Sequence, residues 1–324
     1  MKKNIVALIS FIIMIVLMIV IVVLFKQDTI NIDDSKLEIV ATLFPQYDIA
    51  KQIVGDKANV TLLIGSGVET HNYEPTSKDM IRLLDYTDMF LYTGENLEPW
   101  TTNIIYNLNE NGVNVVNVAR DIELIKTEEF EEKNINSEII NDEESEHAHS
   151  HEEIYDGHVW LAPENAVKML DTILAEVIKQ DPENEMYYRS NADNYREKIL
   201  NIDARIKDIV ANSARKEIAV GGEFAYAYLV SAYDLKFVSV YNNCGEGEDP
   251  SIAKVKSIID YINKHDLPVV YYEELSEGTV AKMIASETKA KSLVLYSIHN
   301  GVPGEDTYVS LMEKNIESLK EGLN

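Results

Sequence analysis

The sequence predicts an α/β protein of two similar lobes, each built on a parallel sheet, joined by one long rigid helix. Three observations predict it. Short β-branched runs alternate with helical stretches between residues 37 and 118, as strands joined by helical crossovers do. The same alternation restarts at Glu217 and runs to Leu319. Between the two sets, Glu185 to Ala211 runs without Gly or Pro, about seven turns and on the order of 40 Å of helix. A chain of 324 residues with 46% apolar content is long enough for two lobes and for a packed core.

In chain order, Lys2 and Lys3 precede an apolar run from Ile5 to Phe25, closed by Lys26, Gln27 and Asp28. A signal-peptide core needs only about 7–15 apolar residues and a spanning helix about 20. Residues 1–28 therefore read as an uncleaved signal anchor, with a cleaved signal as the alternative. The leading lysines place the rest of the chain outside the membrane. No cysteine lies just after the run to take a lipid, and residues 29–36 read as a tether.

Leu37 to Pro45 reads as the first strand, Tyr47 to Val54 as a helix closed by Gly55, and Val60 to Ile64 as the second strand. Thr76 to Leu84 is helical, with Thr76 and Ser77 as caps. Met89 to Thr93 and Val113 to Val118 complete the first sheet. Residues 128–156 break this rhythm: only Lys133 opposes many acids, and the stretch reads as a mobile acidic loop. Helices are expected at Asn165 to Lys179 and at Glu185 to Ala211. The second lobe then offers strands at Glu217 to Val220, Phe237 to Tyr241, Val269 to Tyr272 and Leu293 to Tyr296. Helices are expected at Phe224 to Tyr233, Ile252 to Asn263, Val280 to Thr288 and Tyr308 to Leu319. The divisions are thus 37–183 for the N-terminal lobe, 184–213 for the linking helix and 214–324 for the C-terminal lobe.

Composition narrows the function. A net charge of −26 argues against nucleic acid, whose phosphates need clustered Lys and Arg, and suits attraction of cations. The single cysteine, Cys244, excludes an intrachain disulfide and a Cys-rich structural zinc site. No nucleophile elbow, phosphate loop or His-Glu-x-x-His appears, so an enzyme is not expected.

Histidine, the commonest metal ligand, carries the remaining signal. His71 stands in GVETHNYEPTSKDM, after a strand and before a helix cap. His299 stands in SLVLYSIHNG, after the last strand. Both are at carboxyl ends of strands, where open α/β sheets place ligands. His158, in DGHVWLAPENA, has Trp160 and Leu161 to shield a bound ion. Taken singly, each also suits a histidine that merely hydrogen-bonds. His147, His149 and His151 alternate within the acidic loop and read as a loose metal-capture tract. His265, in NKHDLP, reads as surface filler.

At these residues the chain resembles the cluster A-I solute-binding proteins of zinc and manganese ABC importers. The resemblance runs from Leu37 to Leu323. It rests on IVATLFPQYDIAKQIVGDKANVTLLIGSGVETHNYEPT, DGHVWLAPENA, FAYAYLVSAYDLKF and YVSLMEKNIESLKEGL, in that order. It implies a metal ion in the cleft between the lobes, Zn2+ ahead of Mn2+ because of the His-rich loop. It implies a membrane permease and a cytoplasmic ATPase as partners, membrane attachment through the N-terminal segment, and a monomer. His71 and His158 fall on two of the family's ligand positions, and His299 falls where an aspartate is common. The third position falls on Gly221, which has no side chain to offer. Glu223 is the first replacement, with Cys244, Glu246 and Glu248 next, or three histidines and a water. The alternative function is a surface adhesin.

Overall fold

The computed structural model describes residues 14–15, 35–68, 70, 73–127, 155–241 and 250–324. The chain divides into two compact units, Met1–Ser35 and Lys36–Asn324. Of the first, Met14 and Ile15 are helical, and the signal-anchor reading otherwise lies outside the described residues. Among the described residues no helix is long and apolar enough to cross a membrane.

The second unit holds two four-stranded sheets, all parallel. The first has the order β2-β1-β3-β4 and the second β6-β5-β7-β8. The strands are β1 Leu37–Ala41, β2 Ala58–Leu62, β3 Met89–Tyr92 and β4 Asn114–Asn117. The second set is β5 Glu217–Val220, β6 Lys236–Ser239, β7 Val269–Tyr272 and β8 Lys291–Val294. In each sheet the strand order reverses beside its first strand in the chain, which opens a crevice at the carboxyl ends.

The helices are α1 Phe44–Val54, α2 Ser77–Asp85, α3 Thr102–Glu110, α4 Pro163–Gln180, α5 Glu185–Asn212, α6 Ala227–Ala232, α7 Ile252–His265, α8 Thr279–Ser286 and α9 Tyr308–Leu323. The 28 residues of α5 span about 42 Å at helical rise. Two expectations are corrected. The run to Pro45 is strand only as far as Ala41, and Pro45 sits in the first turn of α1. Proline costs nothing there, because that N–H has no helical partner anyway. Gln46 reaches back to accept from Leu43 N at 3.1 Å and closes the helix start. Helix α3 was not expected from an Asn-rich stretch; Ile104 and Leu108, four apart, bury its inner face. The α2 start is as expected: Thr76 Oγ1 accepts from Asp79 N, and Asp79 accepts from Thr76 N at 2.8 Å, a reciprocal cap.

One apolar core runs from the first sheet through α4 and α5 to the inner face of the second sheet, taking in Ile39, Phe90, Met169, Tyr195, Ile218 and Tyr271. A smaller core lies on the other face of the second sheet, under α7 and α8, around Val238, Ile258, Val270 and Ile284. The lobes therefore share packed side chains, which transmit strain and resist opening.

A buried polar cluster ties the carboxyl ends of β1 and β3. Glu98, fully buried, accepts from Thr42 Oγ1, from Thr93 N at 2.7 Å and from Gly94 N at 3.1 Å. Burial outweighs these hydrogen bonds and pushes its carboxyl up to about 7 from 4.5. Stability from this proton is fully present below about pH 4.5 and is lost as pH rises through 7. Glu98→Gln reproduces the neutral form. Wild type should lose on the order of 3 kcal/mol relative to that variant between pH 4.5 and pH 8. Urea unfolding of both across this range checks it; parallel profiles would refute it.

Candidate metal site

His158 and His299 reach one place from opposite lobes. His158 precedes α4, in a single 3-10 turn at Val159–Leu161; His299 lies on the loop after β8. Their ring centroids are 5.6 Å apart, and they are 2% and 6% exposed. Two imidazoles at that spacing, shielded from water, suit a shared ion of the kind that zinc forms with nitrogen ligands.

Each ring is fixed by its surroundings. Asp156 Oδ1 accepts from His158 N at 2.7 Å and lies 3.1 Å from His158 Nδ1. A carboxylate at Nδ1 holds the proton there, leaves Nε2 to ligate and raises its basicity. Trp160 stands edge-on to His158 at 5.6 Å between centroids and is fully buried. Its indole donates to Ser297 O at 2.8 Å, and its carbonyl accepts from Tyr308 OH at 2.8 Å. One side chain thus ties the His158 segment to the His299 loop.

The rim joins the lobes again. Ser66 donates to Gly301 O, and Gly67 N donates to Asn300 Oδ1 at 3.0 Å. These residues lead toward His71 and away from His299, so the two loops lie together. At Gly301 a Cβ would meet the Phe44 ring at 2.5 Å, so glycine lets this loop lie against the start of α1.

The ends of the acidic loop meet beside His158. Lys126 and Tyr155 form an antiparallel bridge, and Asp156 N donates to Ile125 O at 3.0 Å. From the second lobe, Tyr228 OH accepts from Ile125 N at 3.1 Å and donates to Asp156 O at 3.0 Å. A groove of about 740 Å³ lined by Ile125, Lys126, Lys207 and Tyr228 opens there.

His71, His147, His149, His151, Cys244, Glu246 and Glu248 lie outside the described residues. Among the described residues no three His, Cys, Asp or Glu side chains gather to hold a metal. Glu223 lies near Glu273, whose carboxyl is raised first by burial and then by Glu223's charge. Gly221 has no room for a ligand side chain: a Cβ there would meet Ala281 Cα at 2.8 Å. His265 is more than filler, since its ring stacks on Tyr261 at 4.0 Å and its Nδ1 lies 3.3 Å from Glu217 Oε1.

Sequence reasoning missed Asp156, Ser297 and Glu274 around these rings. Asp156, two residues before His158, carried a readable signal in the Asp-Gly-His spacing. Glu274 carried none, because its role depends on which strand lies beside β8.

A family model described as the periplasmic zinc-uptake complex component A, ZnuA, matches residues 39–322. The chain is 34% identical over 293 residues to the high-affinity zinc uptake system protein ZnuA of Bacillus subtilis, covering 89% of this chain and 88% of that protein. It is 32% identical over 293 residues to the zinc-binding lipoprotein AdcA of Streptococcus pneumoniae, covering 89% of this chain and 56% of that relative, so it spans little more than half of AdcA. The crystal structure of the Zn(II)-bound ZnuA-like domain of that AdcA is similar with a TM-score of 0.72 at 29% identity, covering 89% of this chain and 99% of that one.

Proposed function

We propose, because the chain belongs to the zinc-uptake complex component A family, that it captures a zinc ion outside the cytoplasm and delivers it to an ABC importer. The observation that carries this reading is the pair of buried imidazoles, His158 and His299, brought ring to ring from the two lobes. His71 supplies the third imidazole. The fourth place is open to water, to Glu223 or to Cys244, Glu246 or Glu248. A nitrogen-rich set favours zinc, whereas manganese prefers oxygen donors. The importer's permease receives the ion and its cytoplasmic ATPase supplies the energy. The N-terminal apolar run holds the monomeric chain at the membrane.

Neutral imidazoles displace water from the ion, so binding releases protons and weakens in acid. The acidic His loop gathers zinc and passes it to the cleft. This is supported by its two ends, which are bridged at Lys126 and Tyr155, three residues before His158. Deleting residues 143–152 should slow zinc loading at scarce zinc while the cleft still binds one ion. Stopped-flow loading checks this, and an unchanged rate would remove the hand-off role.

The function is tested by metal analysis of the purified chain with zinc and manganese offered together. One zinc per chain is expected, reduced by His71→Ala and His299→Ala. Comparing Glu223→Ala with Cys244→Ala then assigns the fourth place. Manganese retained in preference to zinc, or metal content indifferent to the histidines, would contradict the reading.

A further inference from the structure

We infer that Glu274 is a positioning residue for His299, setting both the backbone twist and the tautomer that present this ring to the ion. The inference rests on the proposal that His299 ligates. Glu274 lies just after β7, the strand paired with β8. Its carboxylate takes three hydrogen bonds from the segment just before His299. Oε2 accepts from Ser297 N at 2.7 Å; Oε1 accepts from Ile298 N at 3.0 Å and from Ser297 Oγ at 3.0 Å.

These bonds act first on the backbone. Ile298 has φ +64°, a left-handed conformation that is disfavoured for a β-branched residue and persists only where its surroundings hold it. Glu274 holds it, by taking the N–H groups of Ser297 and Ile298 together. Trp160 and Asn315 hold the flanking groups, Ser297 O at 2.8 Å and Tyr296 N at 2.6 Å. This turn swings His299 toward His158.

They act next on the proton. A hydroxyl has one hydrogen to give. Ser297 gives it to Glu274, so toward His299 Ser297 Oγ can only accept. The nearer ring nitrogen is Nδ1, at 3.0 Å, against 3.5 Å for Nε2. The network therefore puts the proton on Nδ1 and leaves the Nε2 lone pair for zinc. Asp156 does this for His158 directly; Glu274 does it for His299 through one hydroxyl. A carboxylate thus stands behind each imidazole.

Glu274→Gln tests this in the full-length chain. The amide turns its NH2 either toward Ser297 N, which breaks the backbone hold, or toward Ile298 N and the serine together, which also releases the Ser297 hydroxyl to donate to His299. Zinc affinity, measured by chelator competition, should fall about 10–100-fold, the usual size of an outer-sphere effect. Nitrogen-15 NMR of the zinc-free protein should show the His299 proton moving from Nδ1 toward Nε2. In a His299→Ala background, Glu274→Gln should cost nothing further. Ser297→Ala, which keeps the backbone bonds to Glu274, should lose the tautomer preference and about 3–10-fold in affinity, and it serves if the Gln variant fails to fold. A wild-type affinity and tautomer in both variants, with His299→Ala still weak, would overturn the positioning role alone. So would an equal loss from Glu274→Gln with and without His299. Equal zinc affinity of wild type and His299→Ala would overturn the ligand assignment itself.

Discussion

Replacing His158 with alanine should weaken zinc binding by more than ~100-fold. Removing an outer-sphere partner alone costs 10–100-fold, and this change removes the ligand itself. It also leaves Asp156 without the ring that it orients, in a site where His158 is 2% exposed and water enters poorly. Folding should survive, because the packing beside it rests on Val159, Trp160 and Leu161, all fully buried. Chelator-competition titration reads the loss and thermal unfolding without metal reads the fold. A fall of less than about tenfold would mean that the ion is held elsewhere.

The second large effect is on stability. Asp48, on α1, is buried at 3% exposure. It accepts from Tyr195 OH on α5, from Tyr308 N at the start of α9 at 2.8 Å and from Gln52 at 3.1 Å. One carboxylate therefore joins a helix of the first lobe, the linking helix and the C-terminal helix. Burial raises its pKa even against these hydrogen bonds. Asp48→Ala orphans the Tyr195 hydroxyl and the Tyr308 N–H, each worth about 1–3 kcal/mol when buried without a partner. The variant should lose about 3 kcal/mol, which lowers Tm by on the order of 5 °C at this chain size. Asp48→Asn, which keeps an acceptor, should lose less. Denaturant unfolding that finds under about 1 kcal/mol for the alanine variant would show that the packing around Tyr195 and Tyr308 stands without the carboxylate.

The strands were legible where β-branched runs stand between turn residues: β5 and β7 begin and end where Glu217 to Val220 and Val269 to Tyr272 predict. The long helix was legible for the same kind of reason, an apolar stripe uninterrupted by Gly or Pro. Boundaries failed where one residue serves two structures. Pro45 ends strands and also starts helices, and only the neighbouring Gln46 cap decides between them. Helix α3 was hidden because Asn has low helix propensity, while burial of Ile104 and Leu108 settles the matter in the fold.

Within the site, the sequence could mark histidines by their loops and could notice the missing ligand at Gly221. It could not show that Ala281 fills the space in front of Gly221. Nor could it show that Glu274, 25 residues before His299, reaches its loop. Those facts depend on which strands pair, β7 with β8, and pairing is a long-range property.

X-ray absorption at the zinc edge, on the full-length chain loaded with one equivalent of zinc, tests the three-imidazole site most directly. The first shell should be nitrogen-rich at about 2.0–2.1 Å, with about three imidazoles in its outer scattering, falling by one in His158→Ala and in His299→Ala. An imidazole count unchanged by either substitution, or a shell made up mostly of sulfur near 2.3 Å, would contradict it.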